Sequence, residues 1–305
     1  MINFTLKQLR YFEAIARTSH FGRAAELCAI SQPALSAQIA TLEAALGQQL
    51  FERSARTVRL TPFGAQFGTR AREILRNAEA LADMARAASG AALGRLRIGV
   101  IPTIAPYLLP SVIGHITAAH PEIDLLVRET MTHRLIEELG DGKLDCAIVA
   151  LPLSEQAFTE VALFDEAMVL VRPAHHADHP VPDMEMLSQM KLLLLEEGHC
   201  FRDQALSFCA TRNTLPREGL DGSSLSTLVQ MVGAGIGVTL IPEMAVSVET
   251  RSADVSIAVM GAPYPKRTVG MIWRKSSALS EHLEGLSQLV RAAAMAQRTT
   301  RAQPL

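Results

Sequence analysis

From Leu6 onward, apolar side chains return every three or four residues: Leu6, Leu9, Phe12, Ile15 and Ala16 mark one face of a helix. Thr5 and Gln8, three apart at its start, have the spacing of a reciprocal cap. Ser19-His20-Phe21 interrupts, and a second short helix carries Ala24, Ala25 and Leu27. Ala29-Ile30-Ser31 then reads as a tight turn. Ser31 is placed to cap a third helix, with Pro33 tolerated in the first turn. Leu35, Ile39, Leu42 and Leu46 form that helix's buried stripe, Gly47 ends it, and Gln32, Ser36 and Ala37 lie off the stripe. This is helix-turn-helix geometry, with short hydrogen-bonding residues where a helix would enter a major groove. Any three-helix bundle would also present a polar face there.

Leu50 to Leu60 predicts a hairpin wing carrying Arg53, Arg56 and Arg59; those nearest its loop can reach phosphates, which position a protein without reading sequence. Thr61-Pro62 caps a long helix in which Phe67, Ala71, Ile74, Ala78, Leu81, Ala85 and Ala88 alternate steps of four and three. That heptad seam fits the same helix of a second chain, or the body of its own. Ser89 to Ala92 is a hinge.

Beyond Gly94 short apolar runs alternate with helical patterns. Strands are predicted at 96–100, 123–129, 145–149, 168–171, 191–195, 238–241 and 269–273, and helices at 110–119, 133–139 and 279–295, with a frayed tail from Arg298. The alternation argues a parallel α/β sheet. Gly233, Gly235 and Gly237 stand at steps of two, so they mark a tight turn before a strand, not a dinucleotide loop.

The chain has 305 residues, 49% hydrophobic and 20% charged, an ordinary globular composition with room for two or three domains. Its net charge of −2 hides an asymmetry. Residues 1–90 hold 11 Lys and Arg against 7 Asp and Glu, while the remainder holds 18 against 24. A basic head on an acidic body points the head toward an anionic partner, most simply nucleic acid. No signal peptide and no membrane-spanning run is evident, and four cysteines are too few for a disulfide scaffold. A reducing cytoplasm is the expected compartment, where a disulfide would be transient and regulatory.

Cys200 follows His199 and stands two before Arg202, and both cationic groups favour the reactive thiolate. Cys209 lies nine residues on, the arrangement of a poised thiol with a resolving partner. Taken without the rest of the chain, two buried structural thiols are the commoner reading of such a pair, and Cys28 and Cys146 are read as such. His199, Cys200 and Cys209 lack the usual zinc spacing, so no metal is expected. Residues 202–208 carry helical apolar spacing.

Ser31-Gln32-Pro33-Ala34-Leu35-Ser36, the stretch Leu50 to Thr61 and Gly94 to Val100 together resemble the LysR-type transcriptional regulators along the whole chain. Gly99 to Thr103, Pro106 to Pro110, Gly142 to Cys146 and above all Gly198-His199-Cys200 through Cys209 resemble that family's hydrogen-peroxide-sensing members. The resemblance implies an all-α winged helix-turn-helix domain at 1–61 and a linker and dimerisation helix at 62–90. An α/β effector domain of two periplasmic-binding-protein-like lobes would follow, one at 94–165 plus 268–305 and the other at 166–267. It implies that Cys200 reacts with peroxide and Cys209 resolves it as a disulfide, and that Thr103, Thr132, His199, Asp203 and Arg274 surround the peroxide. Ser31, Gln32, Pro33, Ser36, Arg53 and Arg56 would meet promoter DNA. A homodimer or homotetramer, contact with RNA polymerase, no cofactor and no enzymatic turnover are likewise implied. Taken alone, each threonine could instead be a helix cap. A regulator sensing an organic metabolite in the inter-lobe crevice is the main rival; a thiol peroxidase is weaker, because no C-x-x-C is present.

Overall fold

The computed structural model describes residues 3–53, 58–88, 94–153, 155–209, 221–262 and 264–301. The chain divides into two compact units, Met1–Ala85 and Arg86–Leu305.

The first unit begins with α1 (Leu6–Thr18), where Thr5 and Gln8 cap each other's backbone N–H. His20 caps α2 (Phe21–Leu27), its Nδ1 accepting from the Gly22 and Arg23 amides. Ser31 caps α3 (Gln32–Leu46) through the Ala34 amide, and Gly47 closes it at φ +66. Leu35, Ile39 and Leu42 are fully buried against Leu9, Phe12 and Ile15; Leu46 is only half-buried at the stripe's end. β1 (Phe51–Arg53) and β2 (Val58–Leu60) pair antiparallel, forming the two arms of the wing, and the Glu43 carboxylate accepts the Leu50 and Phe51 amides. α4 (Pro62–Ala88) starts where the Thr61 hydroxyl accepts from the Gly64 amide. The expected seam divides on α4. Phe67 and Ala71 are drawn into the core of the head together with Leu75, whereas Ile74 and Leu81 are exposed.

In the second unit the order is β3 (Arg95–Val100), α5 (Ala105–Ala119), β4 (Asp124–Glu129), α6 (Thr132–Gly140), β5 (Cys146–Leu151) and β6 (Phe158–Pro173). Then come α7 (Met184–Gln189), β7 (Leu194–Leu195), α8 (Cys200–Cys209), β8 (Asp221–Gly222), α9 (Leu225–Gly233), β9 (Thr239–Pro242) and α10 (Val246–Glu249). β10 (Val255–Ala258), β11 (Lys266–Arg274) and α11 (Ser280–Arg301) complete it, the last helix running on past Arg298. The strands join in the order β10-β6-β11-β5-β3-β4, with β9 also on β6.

The sheet is mixed, not parallel as expected. β3 runs parallel to β4 and β5, but β11 returns antiparallel between β5 and β6. The order of strands and helices along the chain does not reveal this, because β11 re-enters the first lobe from the second. β6 is sixteen residues long and serves both lobes: it pairs with β11 as far as Ala167 and with β9 from Met168. Only its last apolar run is legible in the sequence, since Glu160, Asp165 and Glu166 break the strand pattern of the first half. The first-lobe core gathers Ile98, Val100, Leu108, Ile148, Met271 and Trp273, and a smaller cluster around Leu187, Leu192 and Leu240 lies under the second. Gly237 is required by proximity, because a Cβ there would stand 2.4 Å from the Lys191 carbonyl oxygen. No helix among the described residues is long and apolar enough to cross a membrane.

Candidate functional site

Three segments converge in the second unit: the one leaving β3, the start of α6 and the start of α8. Ile101, Pro102, Thr103, Met131, Thr132, Gly198, His199, Cys200 and Phe201 line the crevice between them. Its volume is about 10 Å³, room for a water-sized molecule.

Thr103 is buried just beyond β3, and its hydroxyl accepts from Arg267 Nη1 at 2.8 Å. A hydroxyl that accepts one bond keeps its own proton to donate. α5 begins two residues later at Ala105 with no side-chain cap, so Thr103 does not cap it. Nor does Thr132 cap α6: it is that helix's first residue, and its buried Oγ1 has no hydrogen-bond partner among the described residues. Both threonines thus present hydroxyls to the crevice instead of closing a helix.

Gly198 holds φ +98, and a Cβ on it would come 3.0 Å from Met131 Sδ; glycine is what lets the segment before α8 approach α6. His199 is buried, and desolvation pushes its imidazole below the ordinary 6.5, opposed by Glu196. Cys200 is the half-buried first residue of α8. The sequence sets two cations beside it. The structure turns the Arg202 guanidinium to the Leu195 carbonyl at 2.8 Å, and burial favours neutral His199. Cys200 also stands at the N-terminus of a ten-residue helix, the positive end of the helix dipole. Cys209 is the last residue of α8, so nine helical steps, about 13.5 Å of rise, separate the two cysteines along its axis.

Two expected site residues do not line the crevice. Asp203 is exposed in the first turn of α8. Arg274 is buried at the end of β11, donating to the carbonyls of Leu139 and Leu144. The arginine that reaches Thr103 is Arg267, at the other end of β11, which sequence reasoning missed. Met131 was also missed. Cys146 is fully buried in β5, and burial, then the neighbouring Asp145, push its thiol well above the ordinary range. Cys28, expected buried, is half-exposed at the end of α2; desolvation raises its thiol pKa and Arg17 opposes the shift.

In the first unit Gln32 and Pro33 are exposed at the start of α3, next to the capping Ser31, with Ser36 half-exposed one turn on. Arg59 is exposed on β2. Arg53 ends β1, with its side chain outside the described residues, as is all of Arg56. Among the described residues, no group of three or more His, Cys, Asp or Glu side chains could hold a metal ion.

Residues 6–65 match the bacterial regulatory helix-turn-helix protein, lysR family, and residues 73–295 match the LysR substrate binding domain. The DNA-binding transcriptional dual regulator OxyR of Escherichia coli K12 is 41% identical over 292 residues, covering 94% of this chain and 95% of its own. A full-length OxyR variant from Pseudomonas aeruginosa is similar at a TM-score of 0.71 and 38% identity, over 95% of each chain. A hydrogen-peroxide-bound cysteine mutant of Corynebacterium glutamicum OxyR is similar at a TM-score of 0.67 and 34% identity, over 99% of this chain and 97% of that one. With both family models matched in order and relatives alike over nearly their full length, the chain belongs to the LysR family of bacterial helix-turn-helix regulators, in its OxyR group.

Proposed function

We propose that the chain is a DNA-binding transcriptional regulator that senses hydrogen peroxide at Cys200 and is switched by a reversible Cys200–Cys209 disulfide to activate oxidative-stress defence genes. The observation that carries the reading is Cys200 at the start of α8, facing a water-sized crevice beside Thr103 and the unpartnered Thr132 hydroxyl. Organic ligands occupy pockets of roughly 300–1,000 Å³, far larger than this one, which disfavours the metabolite reading.

The Cys200 thiolate attacks one peroxide oxygen, the O–O bond breaks, and the second oxygen leaves as hydroxide that takes up a proton to become water. Thr103 and Thr132 donate hydrogen bonds to the oxygens as that charge develops. The Cys200 sulfenic acid then condenses with the Cys209 thiol, giving the disulfide and a second water. A disulfide needs Cα atoms roughly 4.4–6.8 Å apart, well short of the rise between the two residues, so α8 unwinds as the bridge forms. That displaces Phe201, now buried, and Leu206, half-buried; their reburial remodels the surface of the second lobe.

The working division follows: a winged head at 1–61, a linker at 62–90, one lobe at 94–165 plus 268–305 and the other at 166–267. Exposed Ile74 and Leu81 on α4 supply an apolar stripe for a homodimer, the unit of a homotetramer. Gln32, Pro33 and Ser36 address promoter DNA, with Ser31 fixing their helix and Arg53 and Arg56 contacting phosphates, in a cytoplasmic protein that engages RNA polymerase. His199 and Asp203 complete the surroundings of Cys200.

Thiol mapping by mass spectrometry after limiting peroxide tests the reading. A Cys200–Cys209 bridge with one peroxide consumed per subunit is expected. Unmodified Cys200 under excess peroxide would overturn it and leave the metabolite reading.

A further inference from the structure

β6 and β11 place Glu166 directly opposite Arg267 in register, one step before β6 exchanges β11 for β9. Glu166 and Arg267 have side chains 3% and 0% exposed. Glu166 Oε2 accepts from Arg267 Nε at 2.8 Å, and Oε1 accepts the Met244 amide, just beyond β9, at 2.9 Å. Arg267 carries the contact onward. Nη1 donates to the Thr103 hydroxyl at 2.8 Å, Nη2 to the Thr103 carbonyl at 2.9 Å, and the guanidinium lies over the Phe201 ring at 5.4 Å. Each of these contacts leads from the buried pair to the crevice or to the junction of the lobes.

A guanidinium is a rigid planar fork, so fixing Nε against a carboxylate also fixes the direction of Nη1 and Nη2. With Nη1 aimed at the Thr103 oxygen, the hydroxyl proton turns away from the cation. A buried arginine without its counter-charge would draw water or re-aim its fork, and the threonine would lose that direction.

We propose that Glu166 is a positioning residue for the peroxide step, acting through Arg267 to hold the Thr103 hydroxyl as a donor toward the departing peroxide oxygen. Its second oxygen, on the Met244 amide, fixes the carboxylate from the other side, and the Arg267 bonds to Thr103 carry that direction across the division between the lobes. This rests on the peroxide reading of the crevice.

The test is a double-mutant cycle between Glu166→Gln and Thr103→Val, read as the second-order rate of Cys200 oxidation by hydrogen peroxide in the full-length protein. Glu166→Gln alone slows oxidation by roughly 10- to 100-fold, as loss of an aimed donor does. In the Thr103→Val background it adds less than about twofold, because the group it aims is gone. The rate of Cys200 alkylation by iodoacetamide, which needs no aimed donor, stays within about twofold of wild type throughout. Arg267→Lys, which keeps the charge and loses the fork, repeats the cycle if Glu166→Gln does not fold. Equal slowing by Glu166→Gln in both backgrounds, or slowed alkylation, marks a merely structural residue and overturns the proposal. Wild-type oxidation in both Glu166→Gln and Arg267→Lys overturns it too, with the peroxide reading intact; a wild-type Cys200 inert to peroxide fails the reading itself.

Discussion

Cys146 and Cys200 belong to the same unit and differ in almost everything that governs a thiol. Cys146 opens β5, fully enclosed in the middle of the sheet, where burial pushes its pKa well up. Cys200 opens α8 and lines a crevice that Thr103 and Thr132 share. The first is a small hydrophobe that happens to contain sulfur; the second is a reagent. Nothing in the residue itself separates them. Placement on an inner strand of the sheet or at a helix's start does.

The largest expected effect is loss of response. Cys200→Ser abolishes peroxide-induced change in DNA binding, whereas Cys209→Ser stops at the sulfenic acid, which a dimedone-type probe captures. A wild-type response from Cys200→Ser would erase the contrast. Next is access. A maleimide should label Cys146 in the native protein at least about 10³-fold more slowly than Cys200, since the sheet must open first. Comparable rates would break the comparison from the other side. Thr132→Val, nearly isosteric, should slow oxidation of Cys200 by about 10²-fold while leaving its alkylation unchanged. Unaltered peroxide kinetics would remove that hydroxyl from the chemistry.

The smallest effect is in pH. Burial lowers the His199 pKa below 6.5, so between pH 7 and 6 the unfolded chain binds protons more readily than the folded one. This contribution to stability is complete above the unfolded value and declines as pH falls toward the folded one. His199→Gln should flatten that slope in urea melts at pH 7.5 and 5.5; an unchanged slope would assign it to other groups.

What could be read from the chain follows how local the signals are. Thr5 with Gln8, Ser31 with Pro33, Gly47 and Thr61 each mark an end within a few residues, and those ends lie within a residue or two of where the sequence puts them. Cys200 and Cys209 stood out because they bracket one short run with helical spacing, and α8 runs from the one to the other. Arg267 could not be found this way. It and Arg274 sit seven residues apart on one strand, and only the cross-strand register, Arg267 opposite Glu166, tells which end of β11 meets Thr103. The antiparallel return of β11 and the sixteen-residue reach of β6 were hidden for the same reason: pairing partners lie about a hundred residues apart. The seam on α4 was half legible, because the head claims Phe67 and Ala71 before a second helix could meet them.

The ten-residue helix between the cysteines also has an electrochemical meaning. It is intact while the thiols are reduced, so whatever free energy it holds is subtracted from the disulfide. Each ~1.4 kcal/mol needed to unwind it raises the two-electron reduction potential by about 30 mV. A relaxed structural disulfide lies below about −300 mV, beyond easy reach of cellular thiols, but a bridge working against α8 is lifted toward their range. The same helix that delays the disulfide therefore lets it be undone, and the mark left by peroxide fades once the peroxide has gone.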